Sequence, residues 1–247
     1  MKKLKGILCI LVIITILCCS ISTFAIGKVE DFDYAFMYGT TDSSFSPTNN
    51  VTREEASAVF YRILKQSDLL GTFTTKESSS FKDISNTHWS KNALEYLKYT
   101  NVLDKNFIKD EKVSPRQPLT RAEVAYIMVN TMEIQPTSPI HRIPDIKNHK
   151  FEYEIAVLYQ NAIATGKDDE GNFYPNDLVS RAEFTKMVNI MLGRTIASYN
   201  ISNIITPFKD ISRSDWFYND VLLGSNAFSD GFVDYNKKIE RNILDMQ

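Results

Sequence analysis

The segment PRQPLTRAE at residues 115–123 decides the predicted fold, because its pattern occurs three times along the chain. The other copies are PTNNVTREE at 47–55 and PNDLVSRAE at 175–183, and in each a proline precedes a Ser/Thr-Arg-x-Glu box by five residues. An apolar side chain lies two residues before each proline, namely Phe45, Val113 and Phe173. Three copies at one spacing indicate a repeat architecture.

Each Ser/Thr-Arg-x-Glu box predicts the start of a helix. The Ser or Thr hydroxyl can cap the first backbone amides, and the Glu three residues later can bond back to the amide of the cap residue. Helices are therefore predicted to begin at Arg53, Arg121 and Arg181. Apolar side chains such as Val124 and Ile127 follow at helical spacing, and we interpret them as core.

A second motif predicts a partner helix for each box helix. The sequence FKDI occurs at 81–84 and again at 208–211, and in both copies a tryptophan, Trp89 or Trp216, follows the Asp by six residues. A third copy, PDI at 144–146, has no tryptophan at that spacing. Apolar residues at helical spacing come after all three copies, so a helix is expected after each.

The order of these halves predicts how the chain closes. It begins with a box-helix half that lacks its first helix, and it ends with a first-helix half that lacks its box helix. A lone helix cannot bury its apolar stripe, so we expect segment 208–226 to fold back against 31–64. The predicted fold class is all-α, with three repeats in a pseudo-threefold bundle.

The N-terminus has the layout of a secretory signal peptide. Three lysines precede an apolar stretch that ends near Ile21, and small residues follow up to Ala25, so cleavage of residues 1–25 is predicted. A retained membrane anchor is the alternative, because the stretch approaches the roughly 20 apolar residues of a spanning helix. Lipidation at Cys18 or Cys19 is disfavoured, because bulky residues occupy the positions where small ones are needed.

Composition restricts the function of the mature chain. All three cysteines lie in the predicted leader, so neither a disulfide framework nor a cysteine nucleophile is expected. The formal net charge is −2, and loss of the three leader lysines would bring it to −5. An acidic chain without a basic block is a poor binder of nucleic acid, so we expect no nucleic-acid partner.

Together these motifs resemble the S-layer homology domain family, usually found as triplets in surface proteins of Gram-positive bacteria. The resemblance covers about residues 31–226 and includes the turns that begin at Gly39 and Gly166. After the predicted signal peptide at 1–25, it implies a first repeat without its first helix at 26–64, repeats at 81–133 and 143–193, and a completing half-repeat at 207–226, which leaves a tail at 227–247.

The family resemblance also implies a function and a site. The family anchors proteins non-covalently to secondary cell-wall polysaccharides that bear pyruvyl ketals, and its box arginine contacts the acidic sugar in a groove between repeats. The implied location is the cell wall or S-layer of the Gram-positive surface. The candidate polysaccharide-binding residues are Arg53, Arg121, Arg181, Trp89, Trp216, Asp83, Asp210, Gly39 and Gly166.

The chemistry of the boxes is compatible with an acidic ligand. An arginine in the first turn of a helix lies beside backbone amides that favour anions, and its guanidinium can bind a carboxylate with two parallel hydrogen bonds. Each contact would contribute about 1.5–3 kcal/mol, and several grooves on one polymer could raise avidity by about 10² to 10⁴. Alternatively, each arginine pairs with a Glu of its own helix on a solvated face. The second repeat replaces the glycine turn with a charged loop at 104–112, so its groove is expected to differ.

Two other functional classes stay open. The repeats could form a structural module that recruits or assembles other surface proteins. A wall hydrolase would need a carboxylate pair, a metal site or a nucleophile with its base, and no such constellation is recognisable. The sequence therefore predicts a binding module with no catalytic residue, no metal and no cofactor.

Overall fold

The structure is a computed structural model that describes residues 34–75, 77–137, 143–202, 204–229 and 232–233. These residues form six α-helices and one short antiparallel hairpin. The elements are α1 (Arg53–Gln66), α2 (Lys91–Tyr99), α3 (Arg121–Met132), α4 (Glu152–Gln160), α5 (Arg181–Met191), α6 (Tyr218–Ser225), β1 (Phe228–Ser229) and β2 (Phe232–Val233). The predicted all-α class is confirmed for this part of the chain, because its secondary structure is almost entirely helical.

The three predicted helix starts are confirmed by their capping geometry. Thr52, Thr120 and Ser180 cap α1, α3 and α5, and each hydroxyl accepts a hydrogen bond of 3.2–3.4 Å from the amide three residues later. The Glu at that third position accepts the cap residue's amide at 2.8–2.9 Å. By contrast, α2, α4 and α6 have no side-chain cap bond, so these helices depend on packing for their stability.

A ring of three backbone hydrogen bonds joins the segments that lead into the box helices. The amide of Val51 donates to the carbonyl of Val179 at 2.9 Å, Val179 donates to Leu119 at 3.1 Å, and Leu119 donates back to Val51 at 3.0 Å. All three side chains are fully buried. The three box helices therefore start from one shared point in the core.

The first amides of each box helix donate to the proline turn of another repeat. In α1 the amides of Arg53 and Glu54 donate to the carbonyls of Gln117 and Pro115 at 3.0 and 2.9 Å. The same pair of bonds joins α3 to the turn at 175–177, and α5 to the turn at 47–49. Each helix start is thus bonded to the next repeat, and the third is bonded back to the first.

Packing between the helices follows the same order. The box helix α1 packs against α2, α3 packs against α4, and α5 packs against α6. The rings of Phe60 in α1 and Phe184 in α5 meet edge to face at 5.8 Å, so the first and third box helices also touch. One large cluster of buried apolar side chains runs through all of these elements.

The C-terminal helical segment lies against the start of the described chain. The carbonyl of Gly224 accepts the amides of Phe36 and Met37, both at 3.0 Å. The rings of Phe208 and Phe45 lie 5.4 Å apart. A Cβ atom on Gly224 would lie 2.7 Å from the Thr185 side chain, so glycine is required where α6 meets α5.

Several expectations concern residues outside the described ranges. The signal peptide at 1–25, the alternative membrane anchor, the cysteines at 18 and 19, and tail residues 234–247 all lie there. Within the ranges that are described, no helix combines the length and the apolar character needed to cross a bilayer.

Candidate functional site

The three box arginines are buried at the interfaces between repeats. Arg53, Arg121 and Arg181 occupy the first position of α1, α3 and α5, and only 3–6% of each residue is exposed. Each guanidinium also lies over a phenylalanine ring, at 4.5–5.2 Å from guanidinium carbon to ring centroid. Those rings are Phe107, Phe173 and Phe45, which belong to the loop of a different repeat.

Each guanidinium donates hydrogen bonds to backbone carbonyls of that loop. Arg121 donates to Phe173 and Thr165 at 2.8 and 3.0 Å, and Arg53 donates to two loop carbonyls through Nη1. Arg181 donates to Phe45 at 2.9 Å and to a second loop carbonyl at 2.6 Å. We call these contacts the arginine clamps, because each fixes the loop of the neighbouring repeat.

Two expectations about the box arginines were that each pairs with a Glu of its own helix and that each lies beside amides free to attract an anion. The clamps differ from both. Arg181 alone pairs with a carboxylate, that of Glu55, and this residue belongs to α1 rather than to its own helix. The alternative of a solvated pair within one helix is therefore wrong. The first two helical amides are also occupied by carbonyls, so the idea that they help to attract an anion is wrong as well.

The box arginines stay charged although they are buried. Burial lowers the pKa of Arg121, whereas the nearby carboxylates of Glu183, Asp177 and Asp145 raise it. Burial likewise lowers the pKa of Arg181, against the opposing effect of Glu55. An arginine guanidinium stays protonated in proteins, so each clamp is a charge-assisted contact.

A large open cavity lies beside the Arg181 clamp. Its volume is about 870 Å³, and it lies between the loop at 37–42, one face of α1, and the residues Trp89 and Arg116. We call it the Arg181 groove. Its lining residues are Met37, Tyr38, Gly39, Thr40, Thr41, Asp42, Asn49, Asn50, Thr52, Glu54, Glu55, Ala58, Val59, Arg62, Trp89, Arg116 and Arg181.

The groove brings together three of the predicted site residues, Gly39, Trp89 and Arg181. A Cβ atom on Gly39 would lie 2.5 Å from the ring of Phe208 and from the carbonyl of Ser44, so only glycine fits there. Trp89 is 40% exposed and stacks on His88 at a centroid distance of 6.2 Å. One aromatic face therefore stands at the edge of the groove.

The charged residues of the groove balance in number. Three arginines line it, at positions 62, 116 and 181, together with three acids, at positions 42, 54 and 55. Arg62 is buried, donates to the carbonyl of Phe36, and lies 4.1 Å over the ring of Tyr38. Because the formal charges cancel, selection of an acidic ligand here depends on where each charge lies.

Glu54 is a buried carboxylate at the wall of this groove. Its Oε2 lies 3.5 Å from Nε2 of His88 and accepts a hydrogen bond from the hydroxyl of Ser90 at 3.4 Å. Burial raises the pKa of Glu54, although His88, Ser90 and Arg116 act in the opposite direction. The other two boxes have alanine at this position, so this carboxylate is specific to the first repeat.

The predicted aspartates hold the turn that precedes each proline. Asp83 accepts the amides of Val113 and Ser114 at 3.0 and 2.7 Å. Asp210 does the same for Phe45 and Ser46, at 2.8 and 2.7 Å. The residue before each proline has a positive φ of 50–56°, which an L-residue rarely adopts, and the carboxylate fixes this conformation.

Asp145 is the third member of this set and was not predicted as a site residue. It accepts the amides of Phe173 and Tyr174 at 2.8 and 2.6 Å. Its place in the PDI copy of the second motif was the signal in the sequence that could have identified it.

A second cavity, of about 550 Å³, lies beside Asp83. We call it the Gln117 pocket, and its other lining residues are His88, Ser114, Pro115, Arg116 and Gln117.

The remaining predicted residues lie outside these two cavities. A Cβ atom on Gly166 would lie 2.7 Å from the backbone of Gly171, so it permits a close turn. Trp216 is 59% exposed, with Nζ of Lys186 5.6 Å from its ring. It stands at the edge of α5, as Trp89 stands beside α1.

The interface at the Arg53 clamp is filled by aromatic rings. Phe107, from the unusual loop of the second repeat, packs against Tyr126 at 5.6 Å and Phe151 at 6.2 Å. Tyr126 and Phe151 lie 4.5 Å apart. Counted from the box arginines, Tyr126 stands where the first repeat has Ala58, which lines the Arg181 groove.

Among the lining residues of the Arg181 groove that were not predicted from the sequence are three charged residues, Glu54, Arg62 and Arg116. Two of them, Glu54 and Arg116, stand where the repeats differ from one another. A search for shared residues passes over such positions, and the only available signal was the departure from the pattern.

Comparison with known proteins identifies the repeats. A profile of the S-layer homology domain matches residues 33–57, 80–125 and 142–185. The chain is 26% identical over 212 residues to a cellulosome-anchoring protein of Acetivibrio thermocellus, covering 84% of this chain and 44% of that protein. It is 26% identical over 225 residues to cell surface glycoprotein 1 of the same organism, covering 87% of this chain and 9% of that one.

A further relative is the surface-layer 125 kDa protein of Lysinibacillus sphaericus. It is 24% identical over 183 residues, covering 71% of this chain and 14% of the relative. The chain thus spans less than half the length of these curated relatives.

Proposed function

Since this chain belongs to the S-layer homology family, we propose that it anchors non-covalently to the cell wall by binding an anionic, pyruvylated secondary wall polysaccharide in the Arg181 groove. Its location is the cell surface, in association with the wall. The proposal assigns it no catalytic role, because the family and the anchoring relative point to a module that attaches rather than cleaves.

The proposal includes a closed arrangement of three repeats. The ring of bonds through Val51, Leu119 and Val179 supports a pseudo-threefold axis, as do the three clamps in cyclic order. The bonds from Asp210 and Gly224 to residues 36–46 support completion of the first repeat by the C-terminal half-repeat at 207–226. The boundaries at 26–64, 81–133 and 143–193 are proposed on the same basis.

The observation that carries the proposal is the chemistry of the Arg181 groove. An exposed tryptophan face can stack on a sugar ring, and polar side chains such as Thr40 and Asn50 can bond to hydroxyl groups. Arginine provides the planar fork that binds a carboxylate with two hydrogen bonds. A volume of about 870 Å³ accommodates a saccharide, within the usual range for ligand sites.

The predicted arginines act in this proposal mainly by shaping grooves. The Arg181 clamp holds the carbonyls of Tyr38 and Phe45, which bound the loop that forms one wall of the groove. The Arg121 clamp holds the loop at 165–173 in the same way. That interface is proposed as a second, weaker groove, so that one polymer can be bound at two places with a gain in avidity.

Wall binding provides the test. The mature chain should sediment with protein-free walls of a Gram-positive bacterium that carry pyruvyl ketals, and mild acid treatment that removes the ketals should abolish sedimentation. Unchanged sedimentation after ketal removal would contradict the proposed ligand.

The same experiment separates the competing class. A module that recruits other surface proteins would bind only walls that still carry those proteins. Loss of binding on stripping proteins from the walls, with the ketals intact, would favour that class.

A further inference from the structure

We propose that Arg116 is the side chain that binds the ligand carboxylate, at the junction of the Arg181 groove and the Gln117 pocket, so that an anionic saccharide chain runs from one cavity into the other. This inference rests on the proposed function. It assigns the contact to a residue outside the three boxes.

Arg116 borders both cavities. Arg116 is the residue that the linings of the two cavities share, and the cavities measure about 870 and 550 Å³. Trp89 lines the first cavity and its neighbour His88 lines the second. A saccharide of two or more units could therefore stack on Trp89, pass Arg116 and continue along Gln117.

The guanidinium of Arg116 is available to a ligand. Arg181 is 3% exposed and already donates to two carbonyls and to Glu55. Arg62 is 5% exposed and donates to the carbonyl of Phe36. Arg116 is exposed, and among the described residues its guanidinium makes no hydrogen bond or ion pair. Of the three arginines that line the groove, Arg116 alone presents an uncommitted fork to a ligand.

The carboxylate of Glu54 limits how much negative charge a ligand can bring to Arg116. Its charge acts on the buried carboxylate of Glu54, which lines the same cavity. Glu54 is engaged with His88 and Ser90, so it does not cover the guanidinium. A single carboxylate of the ligand fits at Arg116, whereas a closely spaced second anion would face Glu54.

The arginine at position 116 is specific to the second repeat. The residue after the proline is Thr48 in the first repeat and Asn176 in the third, so an arginine occurs at this position only in the second. The inference therefore predicts one dominant carboxylate contact, where exact threefold symmetry would give three.

Affinity for a pyruvylated wall polysaccharide tests the inference. Fragments of one and two repeating units are titrated into the wild-type chain, Arg116→Ala, Arg116→Lys and the matched control Arg213→Ala, which removes an exposed arginine that lines neither cavity. Arg116→Ala should weaken binding by about 10- to 100-fold, because a hydrogen-bonded charge pair is lost. The affinity of Arg116→Lys should lie between those of the wild type and Arg116→Ala, since lysine keeps the charge but cannot supply the bidentate fork.

Thermal melting distinguishes loss of contact from loss of fold. Arg116 is exposed, so the melting temperatures of its two variants should match that of the wild type. Wild-type affinity in Arg116→Ala, with ketal-dependent wall binding intact, would overturn this inference and leave the proposed function standing. Failure of the wild type itself to bind would overturn both.

The Gln117 pocket has a separate readout. Gln117→Ala should weaken binding of the two-unit fragment and leave the one-unit fragment unaffected. Equal effects of Gln117→Ala on both fragments, or none on either, would contradict a chain that continues past Arg116.

Discussion

Replacement of Arg121 by alanine should lower the free energy of unfolding by about 3–5 kcal/mol, because two hydrogen bonds from a buried charged donor are lost together. Arg121 is 6% exposed and donates to the carbonyls of Phe173 and Thr165 at 2.8 and 3.0 Å. Without the guanidinium both carbonyls lose a charged donor, at about 1.5–3 kcal/mol for each bond. The ring of Phe173, 4.5 Å from the guanidinium, also loses its cationic neighbour.

Urea unfolding followed by circular dichroism measures this loss. A change of that size corresponds to a fall in melting temperature of roughly 6–20 °C for a domain of this length. Arg121 lines neither the Arg181 groove nor the Gln117 pocket, so the effect on the fold is separated from a direct ligand contact there. Arg213→Ala is the control and should change stability by less than about 0.5 kcal/mol. A loss below about 1 kcal/mol for Arg121→Ala would refute the clamp.

Three further substitutions have expected outcomes. Trp89→Ala should weaken polysaccharide binding by about 2- to 12-fold through lost stacking, with an unchanged melting temperature, whereas Trp216→Ala should have a smaller effect; titration of both variants measures the difference. Glu54→Gln should stabilise the chain relative to the wild type as the pH rises from about 4 to 7, because a raised pKa means that the folded state favours the protonated acid; urea midpoints across this range test the sign. Asp210→Asn should cost about 1–3 kcal/mol at neutral pH. Although burial opposes it, the amides of residues 45 and 46 and the hydroxyl of Ser44 lower the pKa of Asp210, so its stabilisation is present above the ordinary Asp pKa and is lost as the pH falls; a constant difference between variant and wild type down to pH 2 would contradict this.

The sequence predicted the local features of this fold well, because short spacing determines them. A cap hydroxyl and a Glu three residues later are neighbours in any helix, so the starts at Arg53, Arg121 and Arg181 followed directly. The repetition of the box then gave the number of units, since each copy specifies the same helix start.

The role of the arginines could not be predicted in the same way. The acceptors of Arg181 are carbonyls that lie 136 and 143 residues earlier in the chain, and backbone carbonyls leave no mark on the residue pattern. The second motif singled out Asp83 and Asp210 as candidate site residues, but their hydrogen bonds to the turns before the prolines depend on tertiary contact and could not be predicted. Whether an interface between repeats is an open groove depends on the side chains that fill it. At the Arg53 clamp these are Phe107, Tyr126 and Phe151, which come from three separate segments of the chain, so their contact could not be predicted from the sequence.

The ring of bonds through Val51, Leu119 and Val179 has a consequence for how this architecture can evolve. Open repeat arrays grow or shrink by gaining or losing one unit at an end, because each unit touches only its neighbours. In the closed arrangement proposed above, every amide of the ring already has its acceptor, so a fourth unit would have nowhere to insert, and deletion of one would strand a buried donor and a buried acceptor. Duplication of such a module is therefore expected to proceed in whole sets of three.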